Sequence, residues 1–163
     1  MNIISLYFLS KRKISYIMLL TLKYLCALLF VTLAVWVTAL GFANFFSYQA
    51  EKKERQWIRA DIIEEKASWD KAHSYLTTAM TLDPYNPNHS EIMGRIYVWR
   101  YYINDAPVTS IEEAEKILTE GLAYVNRSIK MRPAWFAIYS VERGLKYTAE
   151  SASAKIIENN GSL

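Results

Sequence analysis

Four glutamates stand four residues ahead of a basic side chain: Glu51–Arg55, Glu91–Arg95, Glu112–Lys116 and Glu142–Lys146. On a helix that spacing puts both charges on one face, where such a pair contributes about 0.2–0.5 kcal/mol. Carboxyls that hydrolyse glycosidic bonds are arranged differently: they face each other across a cleft, one with a raised pKa. His73 and His89 are too few and too isolated for a metal centre or a histidine-based catalytic pair. The single cysteine, Cys26, excludes an intramolecular disulfide and a cysteine-built zinc site. The sequence holds no phosphate-cradling glycine loop, nucleophile elbow or H-E-x-x-H motif. No catalytic residue, cofactor or metal is expected, and the chain reads as a non-enzyme.

The charge distribution points elsewhere. Residues 1–50 contain Lys11, Arg12, Lys13 and Lys23 and no acid, so the formal charge of +3 belongs to the N-terminus and the rest is nearly neutral. A near-neutral main domain lacks the basic face that displaces phosphate counterions, so nucleic acid is not an expected partner. From Tyr24 to Ala50 no charged residue occurs. As a helix this stretch is about 40 Å long against a hydrocarbon core of about 30 Å. Its length favours a retained membrane anchor over a cleaved signal peptide. Tyr24–Phe42 already suffices to cross, and Asn44, Phe45, Phe46 and Tyr48 then read as an interfacial belt. Basic residues on the two sides nearly tie, with Lys52, Lys53, Arg55 and Arg59 following the span. The short acid-free tail before it favours an N-terminus inside. The expected organisation is a basic tail over 1–23, a transmembrane helix over 24–50, a helical domain over 51–158 and a disordered tail over 159–163.

Helical periodicity recurs through the domain and no strand pattern holds. A charged helix over 51–66 continues from the membrane, and a second, about 69–82, stops at Asp83-Pro84. Asn86 is a good N-cap and Pro87 a good first-turn residue for a third helix, about 88–102. Asn104–Pro107 is a loop. Ser110-x-x-Glu113 is a capping box opening a fourth helix over 111–131. Pro133 ends that helix and opens a fifth, about 134–158, with Trp135, Ile138, Val141, Leu145 and Ile156 near one face.

The helices repeat. Ala72-x3-Leu76-x2-Ala79-x4-Pro84 is matched by Gly121-x3-Val125-x2-Ser128-x4-Pro133, and Gly94-x2-Tyr97 by Gly144-x2-Tyr147. Small residues at these points let antiparallel helices approach, and proline ends each hairpin. The pattern resembles the tetratricopeptide (TPR) repeat, with about fifteen extra residues around Tyr101–Ile111. The run from Trp69 through Ala72, Leu76, Ala79 and Leu82-Asp83-Pro84 to Asn86-Pro87, then Gly94-Arg95-Ile96-Tyr97-x-Trp99-Arg100, resembles the VpsP-type family. These are small, membrane-anchored, TPR-like proteins of bacterial exopolysaccharide loci. The resemblance implies a single-pass protein of the bacterial inner membrane with its domain periplasmic or external, serving polysaccharide assembly.

Spacing from Ala60, Gly94 and Gly144 places candidate partner-binding residues on the concave side of the first helices: Trp57, Asp61, Glu91, Arg95 and Trp99. Aromatic anchors with both charges suit a protein partner. The same residues also suit plain packing, with Trp99 between hairpins and Arg95 paired to Glu91. About two and a half hairpins are short of the three that usually close a solenoid core. Another copy, a partner subunit or the bilayer surface against Tyr101 and Tyr102 is therefore expected to cover the open end. The expected function is a non-catalytic, membrane-anchored adaptor in exopolysaccharide biosynthesis or export. The alternative is an accessory subunit that stabilises another membrane complex, chiefly through its anchor helix.

Overall fold

The computed structural model describes the backbone of residues 3–161 and the side chains of residues 18–159. Five helices follow one another: α1 (Ile3–Ala60), α2 (Lys66–Leu82), α3 (Pro87–Trp99), α4 (Ile111–Met131) and α5 (Ala137–Gly161), with a 3-10 turn, Arg100–Tyr102, after α3. The chain is all-helical as expected. Among the described residues no strand forms, and a lone parallel bridge joins Ile63 to Ile103. α1 takes in the stretch expected as a basic tail, while the side chains of Lys11, Arg12 and Lys13 lie outside the described residues.

The chain divides into two compact units, Met1–Ala39 and Leu40–Leu163. In the first, every described side chain from Met18 to Thr38 is exposed. The Thr32 and Thr38 hydroxyls donate back to the Leu28 and Ala34 carbonyls at 2.6 and 2.7 Å. These polar groups are thus satisfied within their own helix, as a hydrocarbon solvent would require. The helix is long and apolar enough to cross a membrane.

The second unit begins earlier than the sequence suggested. Ala43 and Ala50 are fully buried and Ser47 nearly so, and Phe46 stacks on Tyr75 of α2 with centroids 6.0 Å apart. Ala43, Ser47 and Ala50, read as part of a 24–50 span, therefore belong to the helical unit's core. Composition could not separate the two roles, because small residues spaced three or four apart are uncharged in either setting. Of the expected interfacial belt, Phe45 and Tyr48 are exposed and Phe46 packs inward.

The expected 51–66 helix ends at Ala60. Asp61 takes a left-handed conformation, φ 58°, one that Asp tolerates better than most residues. The chain then turns so that Ile63, 1% exposed, can pair with the Tyr101–Ile111 insertion. The Ile63 N–H donates to the Tyr102 carbonyl at 3.0 Å, and the Asn104 N–H to the Ile63 carbonyl at 2.8 Å. Arg100 ties the insertion to α4 through Glu113 at 2.8 Å. The Tyr101 hydroxyl donates to the Ala114 carbonyl at 2.7 Å, and burial pushes its pKa up to about 12.

The caps follow the sequence. Asn86 accepts from the Asn88 N–H at 3.1 Å with Pro87 in the first turn of α3. Ser110 accepts from the Glu113 N–H at 3.1 Å. The Glu113 carboxylate meets the Thr109 N–H at 3.5 Å rather than that of Ser110, because Arg100 draws it aside. The fifth helix starts at Ala137, three residues late, since Pro133–Phe136 form turns closed by Trp135 N–H to the Arg132 carbonyl and Ile138 N–H to that of Trp135. It runs on to Gly161, past the tail expected from Asn159; residues 162 and 163 lie outside the described residues.

Each helix from α2 to α5 packs on the next, and α3 also packs on α5. All six small-apolar-small positions are buried: Ala72, Leu76 and Ala79 on α2, Gly121, Val125 and Ser128 on α4. Trp69 anchors the interior, its Nε1–H donating to the Ile96 carbonyl at 2.8 Å. The Gly94/Tyr97 and Gly144/Tyr147 pairs part company. Tyr97 is 4% exposed and Tyr147 71%. A Cβ on Gly94 would meet Val125 at 2.7 Å, whereas one on Gly144 would meet nothing within 4 Å.

Candidate functional site

The last third of α1 meets α3 through Glu51, Glu54 and Arg95, α5 also packs on α3, and the three helices line a shared groove. Its floor is an ion-pair network centred on Arg95. Arg95 Nε and Nη2 grip both oxygens of Glu54, at 2.8 and 3.0 Å. Its Nη2 also reaches Glu51 at 3.4 Å, and its Nη1 reaches Glu91 at 3.3 Å. Arg132 holds the other Glu91 oxygen at 2.9 Å. The Glu54 side chain is only 6% exposed. Such a carboxylate is tolerated in a core only when paired and hydrogen-bonded. Burial alone would lower the Arg95 pKa, but the three carboxylates, Glu54 foremost, raise it above the usual value.

Two concavities open over this network. One, about 230 Å³, is bounded by Glu54, Arg95, Val98, Trp99, Ser140, Val141 and Gly144. The other, about 340 Å³, is polar; Asn44, Tyr48, Glu51, Asn88, Glu91 and Trp135 are among its lining residues. Of the residues singled out from the sequence, Glu91 and Arg95 come together in the network, and Arg95 and Trp99 line the first concavity. Trp57 is 4% exposed, donates to Ser68 Oγ at 3.2 Å and lies against Trp99 with centroids 6.4 Å apart. Asp61 is exposed at the α1–α2 turn, on the lining of neither concavity.

Sequence spacing missed Glu54, Arg132, Asn44 and Tyr48. Helical arithmetic found Glu51–Arg55 at 2.9 Å, Glu91–Arg95 at 3.3 Å and Glu142–Lys146 at 2.6 Å. The fourth expected pair, Glu112–Lys116, does not form among the described residues. The contacts that build the site, Glu54–Arg95 and Glu91–Arg132, each span 41 residues and leave no local signal.

Both histidines are structural. His73 stacks on Trp69 at 5.0 Å and lies 3.4 Å from the Tyr97 hydroxyl. That hydroxyl donates to Glu120 at 3.1 Å, and burial, reinforced by Glu120, raises the phenol's pKa above the usual range. His89 is 1% exposed, with Asp83 3.8 Å away. Burial pushes both imidazoles below 6.5, outweighing Glu120 and Asp70 near His73 and Asp83 near His89. The folded protein therefore takes up these two protons at lower pH than the unfolded chain, which titrates from about pH 6.5 down. Stability should be fully present above that pH and fall as pH drops towards 5. A melting series over pH 7.5–5 should show the decline, reduced in His89→Gln; a flat profile over the window would contradict it.

No protein-family model, curated protein or solved structure matches the chain. Among the described residues no cluster of three or more His, Cys, Asp or Glu is placed to hold a metal ion.

Proposed function

We propose that this chain is a single-pass protein of the bacterial inner membrane, N-terminus inside, whose TPR-like helical unit acts outside as a non-catalytic adaptor in exopolysaccharide assembly or export. The span is Tyr24–Phe42, about 28 Å as a helix and close to one hydrocarbon thickness. Burial of all six small-apolar-small positions, with each helix packed on the next and α3 on α5, supports stacked hairpins. One observation carries the adaptor reading: Val98, Trp99 and Val141 line an open groove of about 230 Å³ on a unit joined to an exposed apolar helix. The polysaccharide assignment rests on the VpsP-type resemblance of the Trp69–Arg100 run.

The accessory-subunit reading is favoured by the anchor, whose side chains are exposed from Met18 to Thr38. One experiment separates the two. Intact spheroplasts are treated with a membrane-impermeant cross-linker, and the full-length protein is purified in mild detergent for mass spectrometry. Polysaccharide polymerase, export or chain-length proteins should be captured. Ser140→Arg, an exposed change at the groove's lip, should reduce capture about tenfold or more without altering the melting temperature. Capture unaffected by Ser140→Arg but lost on substituting one face of Tyr24–Phe42 would establish the accessory reading instead.

A further inference from the structure

The 340 Å³ cavity between α1, α3 and the α4–α5 turn is chemically unlike the groove beside it, which Val98, Trp99 and Val141 line. Two exposed rings border it, Tyr48 at 54% and Trp135 at 46%. Trp135 is held in place: the Arg132 guanidinium lies 4.8 Å from its ring centroid and is itself fixed by Glu91 at 2.9 Å. Among the described residues, the Asn44 and Asn88 carboxamides and the Tyr48 hydroxyl make no hydrogen bond, while Asn86 is spent on capping α3 and on Asp83. In the wall, both ring nitrogens of His89 lack a hydrogen-bond partner although its side chain is only 1% exposed. Those nitrogens have almost no exposed surface, so His89 frames the cavity and leaves the hydroxyl-binding role to the exposed carboxamides and phenol.

Charge and lining narrow the ligand class. Arg95 is the one cation on the lining, and each of its three guanidinium nitrogens is already committed to a carboxylate. Glu51 and Glu91 face the same space, so an anion meets two carboxylates and no uncommitted positive charge. A peptide would need apolar pockets for its side chains, and Ile92 is the only aliphatic side chain on the lining. A neutral sugar fits better. Its C–H faces pack on flat aromatic rings, and its hydroxyls, each donor and acceptor, match carboxamides, a phenol and carboxylates. The volume lies at the small end of the roughly 300–1,000 Å³ typical of ligand sites, which suits a disaccharide.

We infer that this cavity binds a neutral sugar unit, with Trp135 and Tyr48 as stacking platforms and Asn44, Asn88 and Glu51 as hydroxyl partners. The inference stands on the lining alone and goes beyond the adaptor reading. Full-length protein in a detergent without a sugar headgroup would be titrated with maltose, cellobiose, lactose and N,N′-diacetylchitobiose. Galacturonate and a lysine tripeptide serve as charged competitors, and saturation-transfer NMR as the readout. At least one neutral disaccharide should bind saturably in the millimolar range, about 10⁻³ M. Trp135→Ala and Asn88→Ala, both at exposed positions, should each weaken it, Trp135→Ala by about tenfold or more, with unchanged melting. Ser140→Arg should leave the titration as it is, so failure here and failure of the adaptor reading are seen separately. The inference is overturned if no neutral disaccharide binds saturably, if affinity survives Trp135→Ala, or if galacturonate or the tripeptide binds better.

Discussion

Replacing Arg95 with alanine is expected to destabilise the helical unit by about 3–5 kcal/mol, the usual loss when one partner of a buried ion pair is removed. The melting temperature should fall by roughly 10 °C or more. The effect comes from what is left behind. Glu54, 6% exposed, would lose both of its guanidinium hydrogen bonds, and Glu91, 12% exposed, would keep only Arg132. Arg95→Lys should recover little, because an ammonium cannot grip both Glu54 oxygens as the planar fork does at 2.8 and 3.0 Å. Pairing Arg95→Met with Glu54→Leu should restore more than half of the loss, since no buried charge is then stranded at that pair. Thermal and urea unfolding of the wild type, Arg95→Met, Glu54→Leu and the double variant gives the cycle, with Arg95→Ala and Arg95→Lys measured beside it. A loss under about 1 kcal/mol for Arg95→Ala would mean that the network behaves as a solvated surface cluster.

The second large effect is a difference in sign between two glycines of the repeat, Gly121 on α4 and Gly144 on α5. A Cβ on Gly121 would stand 2.5 Å from Leu145 Cδ2 and 3.0 Å from Tyr97 Cβ. Leu145 is fully buried and Tyr97 is 4% exposed, so neither can simply step aside. Gly121→Ala should therefore destabilise by about 1–3 kcal/mol through overpacking. The better helix propensity of alanine, about 1 kcal/mol, offsets only part of this. Gly144→Ala meets nothing within 4 Å and should stabilise by up to about 1 kcal/mol. Equal effects at the two sites would mean that the glycines serve no packing role. Gly94, the repeat equivalent of Gly144, is instead tight against Val125 at 2.7 Å, and its partner Tyr97 is buried where Tyr147 is exposed.

Much of the fold is legible locally because its causes are local. Pro84 and Pro133 end helices by removing a backbone donor, and Asn86 and Ser110 start them by supplying an acceptor. The small-apolar-small spacing named six residues that are buried. Boundaries shifted where a distant partner intervened: α1 stops at Ala60 because Ile63 pairs with the insertion 40 residues on, and Glu113 turns from its own cap to Arg100.

The candidate site divides in the same way. The sequence by itself determined an all-helical chain, one stretch long and apolar enough to span a membrane, and the Glu91–Arg95 pair, all set by periodicity, composition or i,i+4 spacing. Only the tertiary structure decided that Ala43, Ser47 and Ala50 belong to a core, that Glu54 rather than Glu91 is the main partner of Arg95, and that Trp57 is packed while Trp135 borders a cavity. An apolar or small residue suits lipid and protein interior alike. A carboxylate shows no preference for a cation 41 residues away until α1 and α3 are brought side by side.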